Sequence, residues 1–273
     1  MHPVPPTPDA LLDHLRRESR RFREVLAQCP PEVRVPSCPD WSADDLMWHL
    51  AVVQDSWRHV LAVRPAGPDE YQEPDRPGSY AGLLDFFDDA HGRFVEALAR
   101  AEPAEEAWSW STAPGARTVG WILRRQTHEA LIHRRDAELA ADLVSPFQPA
   151  LAADGVQEVL DVMYGGLPPW GTFTPVPRYV EFRMPDVDAS VWVQLGTFAG
   201  TSSDGTTISG EADFHVVAEE ELEPGLEADA VVLGAAGDMD AWLWKRADDT
   251  GIEPVGDLDV YARVRSVLQQ PIG

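Results

Sequence analysis

Near residue 146 the apolar side chains stop recurring about every 3.6 residues and begin to alternate, and no other feature limits the fold of this chain as much. Before that point the helical spacing appears four times. Residues 9–28 put Leu11, Leu12, Leu15, Phe22 and Leu26 on one stripe, which stops before Cys29-Pro30-Pro31. Ser42, with Asp45 three residues on, has the form of a capping box and opens a helix over about 43–63. A Pro- and Gly-bearing loop over 64–78 leads to a third helix over about 80–101, and Thr118 caps a fourth over about 119–141. Four such helices predict an up-down bundle.

Beyond Pro146 a short helix over about 151–163 is followed by alternating runs at 179–184 and 190–195, which read as strands. Residues 230–234 form a further strand feeding a helix near 238–246, and a last helix falls near 257–269. The expected architecture is therefore two-domain α+β: a helical bundle over 1–145 and an α+β half over 146–273, joined within about 142–150.

Charge narrows the partners. The chain carries 22 Lys+Arg against 46 Asp+Glu, a formal charge of −24, which repels phosphate backbones and anionic lipid headgroups, so neither nucleic acid nor membrane is expected as a partner. Residues 146–273 hold 22 of the acidic and only 6 of the basic residues. The acidic stretch at 219–223 reads as a solvated loop. Cys29 and Cys38 lack C-x-x-C spacing and read as free thiols of a reducing compartment; with no leader-like N-terminus and no long apolar run, the expected location is cytoplasmic.

The fourth helix carries His128-Glu129-Ala130-Leu131-Ile132-His133. At about 100° per residue Glu129 and His133 share a face, whereas His128 and His133 lie about 140° apart. The protease arrangement H-E-x-x-H is therefore excluded. Glu129 and His133 make a two-ligand platform that needs a third ligand, and His49, in the apolar second helix, is the histidine to supply it. Spacing alone also fits a solvated ion pair. Around this helix, Arg124, Arg125, Arg134 and Arg135 read either as solvent-exposed or as contacts for an anionic substrate. Trp108, Trp110 and Trp121 read as core aromatics or as a cleft lining, Asp40-Trp41 as helix-entry structure, and Cys38 as inert.

The run Val35-Pro36-Ser37-Cys38-Pro39-Asp40-Trp41-Ser42 leading into Leu46-Met47-Trp48-His49-Leu50, with residues 125–138 around the two helical histidines, resembles the actinobacterial mycothiol-dependent maleylpyruvate isomerase family. Residues 228–234, then Trp242-Leu243-Trp244-Lys245-Arg246 and Val255-Gly256-Asp257, resemble the C-terminal part of the same family. The resemblance implies a DinB-like metal-binding bundle followed by a sterol-carrier-like domain. It implies a divalent metal, usually zinc, on His49, Glu129 and His133, with Arg246 as the catalytic arginine of the second domain. Arg135 departs from the family, which often has a large residue such as Trp there.

The implied enzyme takes a small thiol, mycothiol by resemblance, as cosubstrate and directs it at a small electrophilic substrate. Both a thiol S-transferase and a thiol-dependent cis/trans isomerase fit, since both need the same activated sulfur. Two other classes remain open at this point: a non-catalytic small-ligand-binding protein, and a metal-dependent hydrolase using water in place of thiol.

Overall fold

In the computed structural model, which describes residues 1–113 and 115–272, each bundle helix begins where its capping residue stands. Helix α1 (Pro8–Leu26) has proline in its first turn and the Thr7 hydroxyl accepting from Ala10 N at 3.3 Å. Helix α2 (Ala43–Val63) opens on the Ser42/Asp45 capping box. Ser79 caps α3 (Tyr80–Arg100), and Thr118 caps α4 (Val119–Ala140) by accepting from Trp121 N at 3.2 Å. Pro36, Ser37 and Pro39 make 36–42 read in the sequence as turn chemistry. The segment is in fact part of an antiparallel pair, β1 (Arg34–Val35) and β2 (Cys38–Ser42), inserted between α1 and α2.

These elements form one unit, Pro6–Pro146. Helix α1 packs on α4, α2 on α3, and α2 also meets α4. The core joins Phe22 and Leu26 of α1, Leu46, Met47 and Leu50 of α2, Phe87 of α3 and Val35 of β1, all essentially without exposure. Removing each such side chain from water is worth about 1.5–3 kcal/mol. The rings of Phe22 and Phe87 lie 5.3 Å apart.

Helix α4 is polar by sequence, yet 15 of its 22 residues are buried, so its charges have to be matched inside the protein. Arg134 donates to Glu18 of α1 (2.9 Å) and to Glu138 (2.8 Å), and Arg21 of α1 donates to Glu138 (2.9 Å). The alternative of a solvated Arg134 is thereby corrected. This network fixes α4 against α1 and so sets where the middle of α4 sits.

The other unit comprises Met1–Pro5 and the chain from Phe147 onward. Met1 O accepts from Ser190 N at 2.8 Å, which is why the first residues belong there. Helix α5 (Pro149–Glu158) runs into a π-helical turn at Val159–Tyr164, where the sequence reading expected one uninterrupted helix. A mixed sheet follows: β3 (Gly171–Met184), β4 (Ala189–Thr201), β5 (Thr207–Val217), β6 (Ala230–Leu233) and β7 (Glu253–Gly256), with helices α6 (Ala236–Leu243) and α7 (Leu258–Leu268). The spatial order is β5-β4-β3-β6-β7, with only β3 and β6 parallel. Tyr164 ties the helices together by donating to Leu243 O (2.8 Å) and Leu268 O (3.2 Å).

Strand β3 begins eight residues before the expected start, and Pro175 and Pro177, which cannot donate to a ladder, fall where its register with β4 is interrupted. Gln194 Nε2 donates to Val176 O there. Gly196 of β4 lies under this irregularity, and a Cβ at that position would come within 2.4 Å of the Phe173 ring. The fold class is thus α+β in two parts, helical first and sheet-bearing second. Among the described residues no helix is long and apolar enough to cross a membrane.

Candidate metal centre

His49 sits in the second turn of α2, and Glu129 and His133 lie one turn apart in the middle of α4. Because α2 meets α4 here, the three side chains converge. Glu129 Oε1 is 3.1 Å from His133 Nε2 and 3.5 Å from His49 Nε2, and the three donor atoms lie within 4.8 Å of one another. Tetrahedral zinc, with donors at about 2.0–2.1 Å, separates neighbouring donor atoms by about 3.3 Å. The separations of 3.1 and 3.5 Å from Glu129 Oε1 match that spacing, and two imidazoles with one carboxylate are a donor set that a divalent ion takes. The side chains of His49 and Glu129 keep 33% and 20% exposure, so the cluster is reachable from solvent.

Each candidate ligand is held by a further residue. Arg125, itself buried, donates from Nη2 to Glu129 Oε2 at 2.7 Å, leaving Oε1 directed at the two histidines. His133 Nδ1 is 3.0 Å from Asp136 Oδ2, and Asp136 also accepts from the Ser37 hydroxyl. The Trp41 ring lies 4.6 Å from the His49 ring and 6.2 Å from that of His133. Sequence reasoning passed over Asp136, although its i+3 spacing from His133 put it within reach, and took Asp40-Trp41 for helix entry alone. Exposure of Arg125 is likewise corrected: it is a partner of the candidate ligand Glu129.

Burial works against charge on both Glu129 and His133, yet their attraction for each other outweighs it. Contacts from His49 and Arg125 add to the effect on Glu129, which is held well below the carboxylate range, and Asp136 helps lift His133 to about 9. A raised histidine pKa stabilises the folded, metal-free chain fully below about 6.5 and ceases to do so as pH rises through about 9. At pH 7 an incoming ion has to displace that proton. Zinc binding at pH 7 is expected to release about one proton, and the apparent affinity to rise about tenfold per pH unit until about pH 9. Calorimetry in buffers of different ionisation enthalpy checks this, and an affinity independent of pH would remove His133 from the ligand set.

The remaining sequence candidates fall elsewhere. His128 is buried and outside the cluster. Arg246 lies just past α6 in the other unit, half-buried, with Nη1 donating to Trp244 O at 2.6 Å. Trp57, Trp108, Trp110 and Trp121 pack on one another, with successive centroids 5.3–6.2 Å apart. Cys38 places its sulfur 4.0 Å from Asp136 Oδ2, next to the centre. A cavity of about 220 Å³ beside Trp242, Lys245 and Arg265 contains none of the three candidate ligands.

Comparison with known proteins gives two domain matches in chain order. Residues 6–138 match the mycothiol maleylpyruvate isomerase N-terminal domain, and residues 150–263 match the MDMPI C-terminal domain. Two solved structures share the fold, one of mycothiol-dependent maleylpyruvate isomerase and one of a histidine-to-alanine mutant of it. Each is 13% identical, with a TM-score of 0.53, covering 91% of this chain and 93% of the other. No curated protein matches the sequence.

Proposed function

Since its two domain matches place this chain in the mycothiol maleylpyruvate isomerase family, a family of enzymes, we propose that it uses a divalent metal to activate a low-molecular-weight thiol, mycothiol, against a small electrophilic substrate. The outcome is thiol S-transfer or thiol-dependent cis/trans isomerisation. The observation that carries this reading is the convergence of His49, Glu129 and His133 at a point solvent can reach.

A divalent ion held there would supply the Lewis acidity that keeps a thiol ionised at neutral pH, where a free thiol of pKa about 8.5 is only a few per cent thiolate. The chain's own residues determine how much charge is left for the sulfur. Glu129 contributes one negative charge, and the positive Arg125 on its far oxygen is balanced by the carboxylate of Asp136 behind His133. Against a doubly charged ion this leaves one positive charge, which favours an anionic sulfur over a neutral ligand. Trp41 lies against His49, where it limits water access from that side and strengthens these electrostatics. The proposal assigns Arg246 to an anionic group on one of the two substrates.

The test is a titration of the cobalt-substituted protein with thiol, run beside an assay for thiol conjugates and isomers. The visible absorption of cobalt is expected to change with saturating thiol, and product formation to require thiol. An unchanged spectrum would point to a closed structural site, and turnover without thiol would point to hydrolysis.

A further inference from the structure

An imidazole presents two nitrogens, and the one available to a ligand is decided by what the other is bonded to. In His133 that decision rests on Asp136. Asp136 is completely buried, so no solvent competes for its oxygens, and each oxygen is engaged: Oδ2 faces His133 Nδ1 at 3.0 Å and Oδ1 accepts from the Ser37 hydroxyl. The Cys38 sulfur, 4.0 Å from Oδ2, closes the same side. Held at both ends, the carboxylate has little freedom to turn, and His133 donates Nδ1–H to it. Nε2 is then the nitrogen whose proton an ion would displace; it lies 3.1 Å from Glu129 Oε1, on the side where the candidate ligands converge.

The clamp reaches across 99 residues of sequence, from α4 to the turn between β1 and β2, where Val35 pairs with Cys38 and Ser37 lies between them. The same hairpin brings Trp41 to within 4.6 Å of the His49 ring. One short hairpin therefore touches the surroundings of both imidazoles, which gives the two-stranded insertion between α1 and α2 a purpose that core packing does not require.

We propose that Asp136 is a positioning residue of the metal centre, fixing the tautomer and aim of His133, and that Ser37 of the β1–β2 turn holds Asp136 in place. This rests on His49, Glu129 and His133 being metal ligands. An ionised carboxylate behind the imidazole also strengthens the opposite nitrogen as a donor, and loss of such a partner typically weakens metal binding by about 10–100-fold.

The test measures zinc affinity of the full-length chain by competition with a chromophoric chelator, together with the visible spectrum of the cobalt form. Asp136→Asn keeps the shape and an acceptor oxygen but removes the charge, and is expected to weaken zinc binding about 10–100-fold and to shift the cobalt bands. Ser37→Ala, which removes a single hydroxyl from a half-buried turn, is expected to weaken binding by a smaller factor in the same direction. An Asp136→Asn protein that folds and binds zinc within twofold of the unsubstituted chain overturns the proposal. Should Asp136→Asn fail to fold, an unchanged affinity and spectrum in Ser37→Ala overturns it instead. If the unsubstituted chain binds no zinc, the ligand assignment fails as well, so the two failures are told apart.

Discussion

Replacing His49 by alanine is expected to empty the protein of zinc and to lower thiol-dependent turnover on the order of 10³-fold, while the metal-free chain melts close to where the unsubstituted one does. The first effect follows from counting ligands: Glu129 and His133 alone are two donors on one helix, and neither a closed nor an open tetrahedral site is made from two. Loss of thiol ionisation accounts for a factor of roughly 30 at pH 7, given a free thiol pKa of about 8.5, and loss of a fixed position for the sulfur accounts for the remainder. The second effect follows from exposure. One third of the His49 side chain faces solvent, so truncation opens no sealed cavity and strands no buried charge. His133→Ala is a poorer probe, because it leaves Glu129 and the buried Asp136 without the group that lies between them. Metal analysis, steady-state rates and thermal melts on His49→Ala decide the matter. Full zinc occupancy with an unchanged rate would remove His49 from the ligand set, and loss of zinc with an unchanged rate would remove the metal from the proposed chemistry.

How much of this was legible in the sequence depends on how local each interaction is. The four bundle helices were read to within a few residues because capping and apolar spacing act over one or two turns: Ser42 with Asp45, Thr118 with Trp121. Glu129 and His133 were legible for the same reason, since i,i+4 on a helix fixes a shared face whatever the tertiary structure. His49 required an assumption about which helices meet. Asp136 has a local signal, three residues from His133, but its meaning comes from Ser37, and nothing in a helical spacing points to a hydroxyl 99 residues away. Arg125 and Arg134 were misjudged from the same cause. Arginine on a helix is exposed unless a particular carboxylate awaits it, and the carboxylates for Arg134 come from two helices. Strand β3 reaches back beyond the expected 179–184 because regular pairing is interrupted, not ended, at Pro175 and Pro177, where the neighbouring strand supplies a glycine at the close approach.

Glu138→Ala is expected to destabilise the helical unit by about 3–5 kcal/mol at pH 7, the largest stability effect of any single substitution argued for this protein. Glu138 is wholly buried and accepts from Arg21 Nε at 2.9 Å, Arg134 Nη1 at 2.8 Å, and both the backbone N (3.0 Å) and hydroxyl of Ser145. Truncation leaves the guanidinium of Arg134, only 3% exposed, without one of its two carboxylates and frees the segment at Ser145 that leaves the bundle. The magnitude has its own pH signature. Burial resists ionisation of Glu138, but the hydrogen bonds from Ser145 and Arg21 and the charge of Arg134 outweigh it, so its pKa lies below the ordinary 4.5. A lowered carboxylate pKa contributes stability that is complete above about pH 4.5 and is lost as pH falls through the folded-state value. The gap between unsubstituted and Glu138→Ala proteins should therefore be widest near neutrality and narrow on acidification, which urea unfolding at two pH values measures. A gap that stays constant from pH 7 to pH 4 would mean that packing, and not the paired charge, is what Glu138 supplies.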